Sequence, residues 1–198
     1  MRWQTRFIIG LAAMIVAAGA TSARRAKGIP EAFRVSAWAI AFGAGSIIAL
    51  MTSLGVIDTA ITSLVPVGSM LIANAMNTNS LALNRFRSDV LSHIGEIETA
   101  LALGAEARNS VSPYVQASFE ASLIPAIDSL RSLGIVWIPG LMAGMLLSGA
   151  RPVYAAIYQF VVLAMIFAAS GLTSLISTML IRGRVFSPAE QLLLQPGR

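Results

Sequence analysis

The chain contains no cysteine. Disulfides, thiolate metal sites and thiol nucleophiles are therefore excluded. It has a single histidine, His93, so a zinc site built from several histidines is excluded as well. Its single lysine, Lys27, follows Ala26 where a phosphate-binding G-x-x-x-x-G-K-[ST] loop would need glycine, so that route to ATP binding is closed. Charge is scarce too: 12% of the 198 residues are Asp, Glu, Lys or Arg, about half the share of a soluble domain. What is present instead is apolar. Hydrophobic residues make up 56% of the chain and the mean hydropathy is +0.75. This balance excludes a soluble enzyme, a disordered tail and a small secreted module. The net charge of +5 and a pI near 10.7 would suggest nucleic acid in a soluble protein. Here no basic stripe carries interleaved aromatics, so no nucleic-acid partner is expected. The arginines read as anchors of membrane loops, and the partner surface as the lipid bilayer.

The expected fold class is all-α: a polytopic membrane protein with about five transmembrane helices and a helical cytoplasmic excursion between the third and fourth. A span needs about 20 apolar residues. The stretches that provide them are about 7–23, 35–57, 64–83, 133–149 and 153–181, with the excursion at 85–131, and one domain covers 1–198. The first stretch could pass for a signal peptide, but Arg24 and Arg25 follow it like a stop at a cytoplasmic face. Basic residues set the orientation. Arg24, Arg25, Lys27, Arg34, Arg85, Arg87, Arg108, Arg131, Arg182, Arg184 and Arg198 fall in the loops on one side, against Arg2, Arg6 and Arg151 on the other. The positive-inside rule then puts the C-terminus in the cytoplasm and the N-terminus outside. Arg2 and Arg6 fit that arrangement poorly, as they would if further helices once preceded them.

The excursion holds six of the nine acidic residues: Asp89, Glu96, Glu98, Glu106, Glu120 and Asp128. Phe86, Val90, Ile94, Ile97, Leu101 and Gly104 recur at helical spacing and predict an amphipathic helix over 85–108. Ser110, Ser112 and Pro113 break it, and a second helix follows from about Pro113 to Leu123. The plain reading is a solvated connector; the sharper one is a docking surface for a soluble partner. Glu98-Thr-Ala100-Leu-Ala-Leu-Gly104-Ala105 reproduces the E-A-A, three residues, G spacing of cytoplasmic loops in many ABC-importer permeases, with Thr99 in place of one alanine. Glu98, Gly104 and Ala105 are thus candidates to dock an ATPase subunit.

No Asp, Glu, Lys, Arg or His lies inside the five stretches. Proton- and ion-coupled carriers usually keep such residues as relays, so a carrier of this kind needs another energy source or is passive. It also leaves no base for an intramembrane enzyme, so no enzymatic activity is expected. Met70, Asn74 and Asn77 share one face of the third span. They read either as interhelical hydrogen-bond formers or as the lining of a transport pathway. Met142 and Met145 on the fourth span could join them there, offering thioether sulfur to a soft metal or filling gaps. Gly140 and Gly144 form a G-x-x-x-G pair suited to close helix packing. Ser170, Ser174 and Ser177 line a face of the fifth span and read as helix glue.

Several of these segments resemble one known family. Val65-Pro66-Val-Gly68-Ser-Met70-Leu-Ile-Ala73-Asn74-Ala75-Met76 is similar to the P-x-x-G-M-x-x-G-N-x-M segment of FetB-like iron-export ABC permeases. So are Ser80-Leu-Ala-Leu-Asn84-Arg85, Glu98 to Ala105, Ile124-Pro125-Ala-Ile127-Asp-Ser129, Gly134 to Gly144 and, in part, Ala156-Ile-Tyr-Gln159. The order is kept over roughly 65–160. The resemblance implies a permease subunit that pairs with a separate ATPase and needs no cofactor of its own. It implies a homodimer in the cell membrane that exports a metal ion, with iron efflux linked to bacterial relatives and aluminium tolerance to plant ones. Two family glycines are Ser69 and Ala73 here, and the usual Thr-Gly-Gln is Ala143-Gly144-Met145, which leaves room for a different cargo, metal ion or other small solute. The alternative is a membrane scaffold or assembly factor that transports nothing.

Overall fold

The computed structural model describes residues 2–26, 28–29, 31–56, 61–135, 138–187 and 191–194, leaving aside the side chains of 2–9 and 61–63. Lys27, Arg198, the Ile57 end of the second stretch and Val136-Trp137 of the fourth lie outside the described residues. The protein is all-helical: α1 (Arg2–Arg25), α2 (Ala32–Ser53), α3 (Ile61–Ser92), α4 (Ile94–Ala102), α5 (Ala107–Ser110), α6 (Ser112–Ser132), α7 (Gly140–Leu147) and α8 (Pro152–Arg182). Among the described residues there is no strand, and an isolated bridge joins Phe186 and Leu192.

The third expected span and the start of the excursion are one helix. Nothing between Leu83 and Ser92 breaks α3, and Arg85 Nε holds Asp89 Oδ2 one turn on at 3.1 Å. The break comes at His93, whose φ of −120° leaves the helical range. The amphipathic helix expected over 85–108 is therefore divided among the end of α3, α4 and the single turn α5. The second helix is longer than expected and runs through Pro125 to Ser132. The fourth stretch is shorter than expected. Pro139 opens α7 and Gly149, at φ 88°, closes it. Eight residues rise only about 12 Å. Two described helices, α2 and α8, are long and apolar enough to cross a membrane by length and composition.

Helix α8 is the axis of the fold, with α2, α3, α6 and α7 packed against it. The apolar interior has two parts. One gathers Ile40, Ile48, Leu71, Val162 and Ile166. The other gathers Leu83, Phe86, Val90, Ile97, Val111 and Ile181. Between them lies a belt of fully buried small polar residues. Ser22, Ser36 and Asn79 supply it from α1, α2 and α3, and Ser170, Thr173, Ser174 and Ser177 from α8. Small side chains let the backbones approach closely. A Cβ on Gly43 of α2 would sit only 2.7 Å from Thr173 N of α8.

Helix α6 does not stand apart as a connector. It lies along α3 and α8, and Leu130 and Leu133 pack on the same cluster as Leu71 and Val162. Ser122 Oγ meets Ser174 Oγ at 2.7 Å. The outer surface is also apolar in places where a water-soluble protein would not be. Trp38 and Phe42 stack at 5.5 Å while each is 58% exposed. Leu147, Val153, Ile157 and Phe160 are open on α7 and α8.

Candidate functional site

A cavity of about 300 Å³ lies where α3, α6, α8 and the start of α7 meet. It brings Met70, Asn74 and Asn77 together on one wall, as their spacing on the third span predicts. Helical geometry explains this directly, since residues three, four and seven apart project from one face. Helix α6 supplies Ser122, Pro125 and Ser129, and α8 supplies Gln159. Met142 and Met145 are not in the wall. Met142 contributes its backbone N–H, which donates to Gln159 Oε1 at 3.2 Å.

That one bond fixes the chemistry of Gln159. A backbone N–H can only donate, so the atom that receives it is the amide oxygen. The amide nitrogen Nε2 is then left buried with no hydrogen-bond partner, on a side chain with no solvent exposure. Such a group costs about 1–3 kcal/mol until something accepts from it. Asn74 Nδ2 turns back to Met70 O at 2.8 Å, which leaves Oδ1 unused among the described residues. Asn77 Oδ1 accepts from Arg25 at 3.1 Å. The wall thus offers neutral amide and hydroxyl groups, one thioether from Met70 and no carboxylate. Among the described residues no three His, Asp or Glu side chains converge on a metal position.

The sequence reading singled out the asparagine face but not Ser122, Ser129 or the role of Gln159. The signal for Gln159 was there: it is the one amide side chain in the apolar stretch 153–181. Asn79 was also missed. Its Nδ2 donates to Ser22 Oγ at 2.6 Å and to Ser36 Oγ at 2.8 Å, tying α1, α2 and α3 together inside the polar belt. Asn79 faces away from the cavity wall and belongs to the framework.

Glu98, Gly104 and Ala105 lie on and after α4. Glu98 and Gly104 are exposed and Ala105 is half-buried. Gly104 adopts φ 87°. Its N–H reaches Leu101 O at 3.0 Å and that of Ala105 reaches Ala100 O at 3.0 Å. This paired closure of a helix end needs a left-handed residue, which explains the glycine locally. No atom lies within 4 Å of a Cβ built there, and the neighbouring Leu103 is 84% exposed. Gly140 and Gly144 likewise meet nothing within 4 Å, so close packing on this G-x-x-x-G face is not made within the described chain.

Residues 3–186 match the sequence profile of the uncharacterised protein family UPF0014. The UPF0014 membrane protein STAR2 of Oryza sativa subsp. japonica is 35% identical over 179 residues, covering 90% of this chain and 63% of that protein. The protein ALUMINUM SENSITIVE 3 of Arabidopsis thaliana is 33% identical over 179 residues, 90% of this chain and 66% of that protein. The probable iron export permease protein FetB of Escherichia coli (strain K12) is 32% identical over 171 residues, 86% of this chain and 66% of that protein. The chain therefore spans just under two thirds of the length of these relatives. No solved structure matches it.

Proposed function

Because this chain belongs to the membrane-protein family UPF0014, we propose that it is the permease subunit of an ABC-type exporter of metal cations. A separate ATPase subunit supplies the energy and docks at the end of the bundle formed by α4 and α5, around Glu98, Leu103 and Gly104. The protein works as a homodimer in the cell membrane, with its C-terminus in the cytoplasm. The likeness to a protein named as a probable iron export permease supports the transport class. The cavity at Gln159 is the observation that carries the cargo site.

The wall chemistry favours a cation that brings its own oxygen ligands. An unpartnered amide N–H cannot bind a bare cation, but once the wall opens to it, it can donate to a water or hydroxide already on the metal. A water takes about 30 Å³, so about 300 Å³ holds an ion with several waters. Neutral dipoles bind such a species loosely enough to release it. Met142 and Met145 are not in this wall, so in this reading they fill gaps between helices and Met70 supplies the one thioether.

Pairing of two copies is supported by α6 and α7. Ala117, Glu120, Ile124, Asp128 and Arg131 form an exposed stripe along α6. Three charges on a helix packed beside α3 and α8 are costly against lipid. A second copy or a water-filled path removes that cost, and the open G-x-x-x-G face of α7 gives the copies a place to approach.

The test uses the assembled complex with its ATPase, reconstituted in vesicles, with iron(II) as the probe. Gln159→Leu and Asn74→Ala should lower iron-stimulated ATP hydrolysis about tenfold, with basal hydrolysis and thermal stability near wild type. Met145→Leu should leave the stimulation unchanged. Unchanged stimulation in Gln159→Leu, or a loss that only tracks lost stability, would make these residues structural.

A further inference from the structure

A second opening lies at the other end of α8, and its chemistry differs. A groove of about 670 Å³ runs between the first half of α6 and the last turns of α8. One part is apolar, formed by Val115, Phe119, Leu175 and Met179, and the other is rimmed by Arg108, Arg182 and Arg184. Arg184 is spent in an ion pair with Glu31. The other two guanidiniums are not. Arg182 reaches only the neutral Asn109 Oδ1, at 3.4 Å, and its Nε is buried with no partner. Arg108 has no ion pair among the described residues. It lies over the backbone at Gly183, where a Cβ would be 3.6 Å from Arg108 Nε. Both arginines complement the carbonyl end of α8, but a helix end carries only about half a negative charge. Among the described residues the groove therefore keeps a net positive charge beside an apolar trough. Glu120 accepts a hydrogen bond from Gln116 at 2.9 Å and is not part of the wall.

We infer that this groove seats an anionic phospholipid, with the headgroup phosphate between Arg108 and Arg182 and an acyl chain along Phe119, Leu175 and Met179. The place fits the ligand: the groove lies where the apolar helix α8 gives way to arginines, at the level where a bilayer presents its phosphates. Basic pockets between membrane helices on the cytoplasmic side are suited to such headgroups. A bound lipid would tie the end of α8 to α6, the helix that also forms one wall of the cargo cavity.

The experiment is native mass spectrometry of the detergent-purified chain, without any ATPase, so its outcome is independent of the transport proposal. Dioleoylphosphatidylglycerol should be retained at least tenfold better than dioleoylphosphatidylcholine. Arg108→Gln should lower that retention about fivefold, equivalent to about 1 kcal/mol for one basic residue near a headgroup. Arg108 is exposed, so the variant keeps its fold, which its thermal midpoint checks. Arg108→Lys should retain most of the lipid, and Arg151→Gln at the opposite end of α8 should retain all of it. Equal retention of the two lipids overturns the inference and fits an acidic protein surface as the occupant. Unchanged retention in Arg108→Gln overturns it too, as does inorganic phosphate binding as tightly as the lipid.

Discussion

The closest approach between α2 and α8 offers a stringent test of how this bundle is held. At Gly43 a built Cβ falls 2.0 Å from Thr173 Oγ1, 2.7 Å from its N and 2.8 Å from its Cα. The hydroxyl could rotate away; the backbone atoms cannot. They are roughly 0.7 Å short of ordinary van der Waals distance, so Gly43→Ala must push the helices apart. Overpacking of this kind costs about 1–3 kcal/mol. Alanine also recovers about 0.8–1 kcal/mol of helix propensity relative to glycine, which would blur a single measurement. Gly45 removes that ambiguity. It lies two residues away on the same helix, and a Cβ there meets nothing within 4 Å. Gly45→Ala takes the propensity gain without the clash, so the difference between the two variants reports the strain alone. At about 2–4 °C per kcal/mol for a chain of this size, Gly43→Ala should melt about 2–12 °C below Gly45→Ala. The assay is thermal unfolding in detergent, followed by tryptophan fluorescence. Adding Thr173→Ala should restore only part of the loss, because Thr173 N and Cα remain. Equal midpoints for the two glycine variants, or full rescue by Thr173→Ala, would refute the close backbone contact.

Other outcomes follow from single residues. Asn79→Ala removes the two bonds that tie α1 and α2 to α3 and should cost about 1–3 kcal/mol, read as a lower unfolding midpoint; a midpoint equal to wild type would mean the belt is held by packing alone. Gly104→Ala forces a Cβ into φ 87° at about 1–2 kcal/mol, so hydrogen exchange should speed up in α4 and α5 while the global midpoint holds. Leu103→Ser, which keeps that turn, should reduce co-purification with the ATPase; wild-type yield would move the docking site elsewhere. For orientation, a cysteine at Ser110 should be shielded from an impermeant thiol reagent outside intact cells while one at Leu54 labels, and the reverse pattern would invert the protein.

Much of the fold was legible because hydrocarbon and backbone geometry leave few choices. An apolar stretch without charge must satisfy its own backbone hydrogen bonds, which means a helix. The limits of α2 and α8 could thus be read to within a few residues from hydropathy. The Met70, Asn74 and Asn77 wall was legible because helical spacing alone puts them on one face. Tertiary structure decided what composition could not. Glu120, Asp128 and Arg131 give α6 the average polarity of a connector, but its buried face of Ser118, Ser122 and Leu123 seats it against α3 and α8. Hydropathy averages over faces, and packing depends on one face only. The fourth stretch was apolar enough for a span, yet Pro139 and Gly149 cut its helix to two turns, because the missing N–H and the left-handed backbone override hydrophobicity. Gln159 could be noticed in the sequence, but its unpaired nitrogen could not. That depends on which atom Met142 N–H reaches from another helix, 17 residues away, and only the folded chain brings the two together.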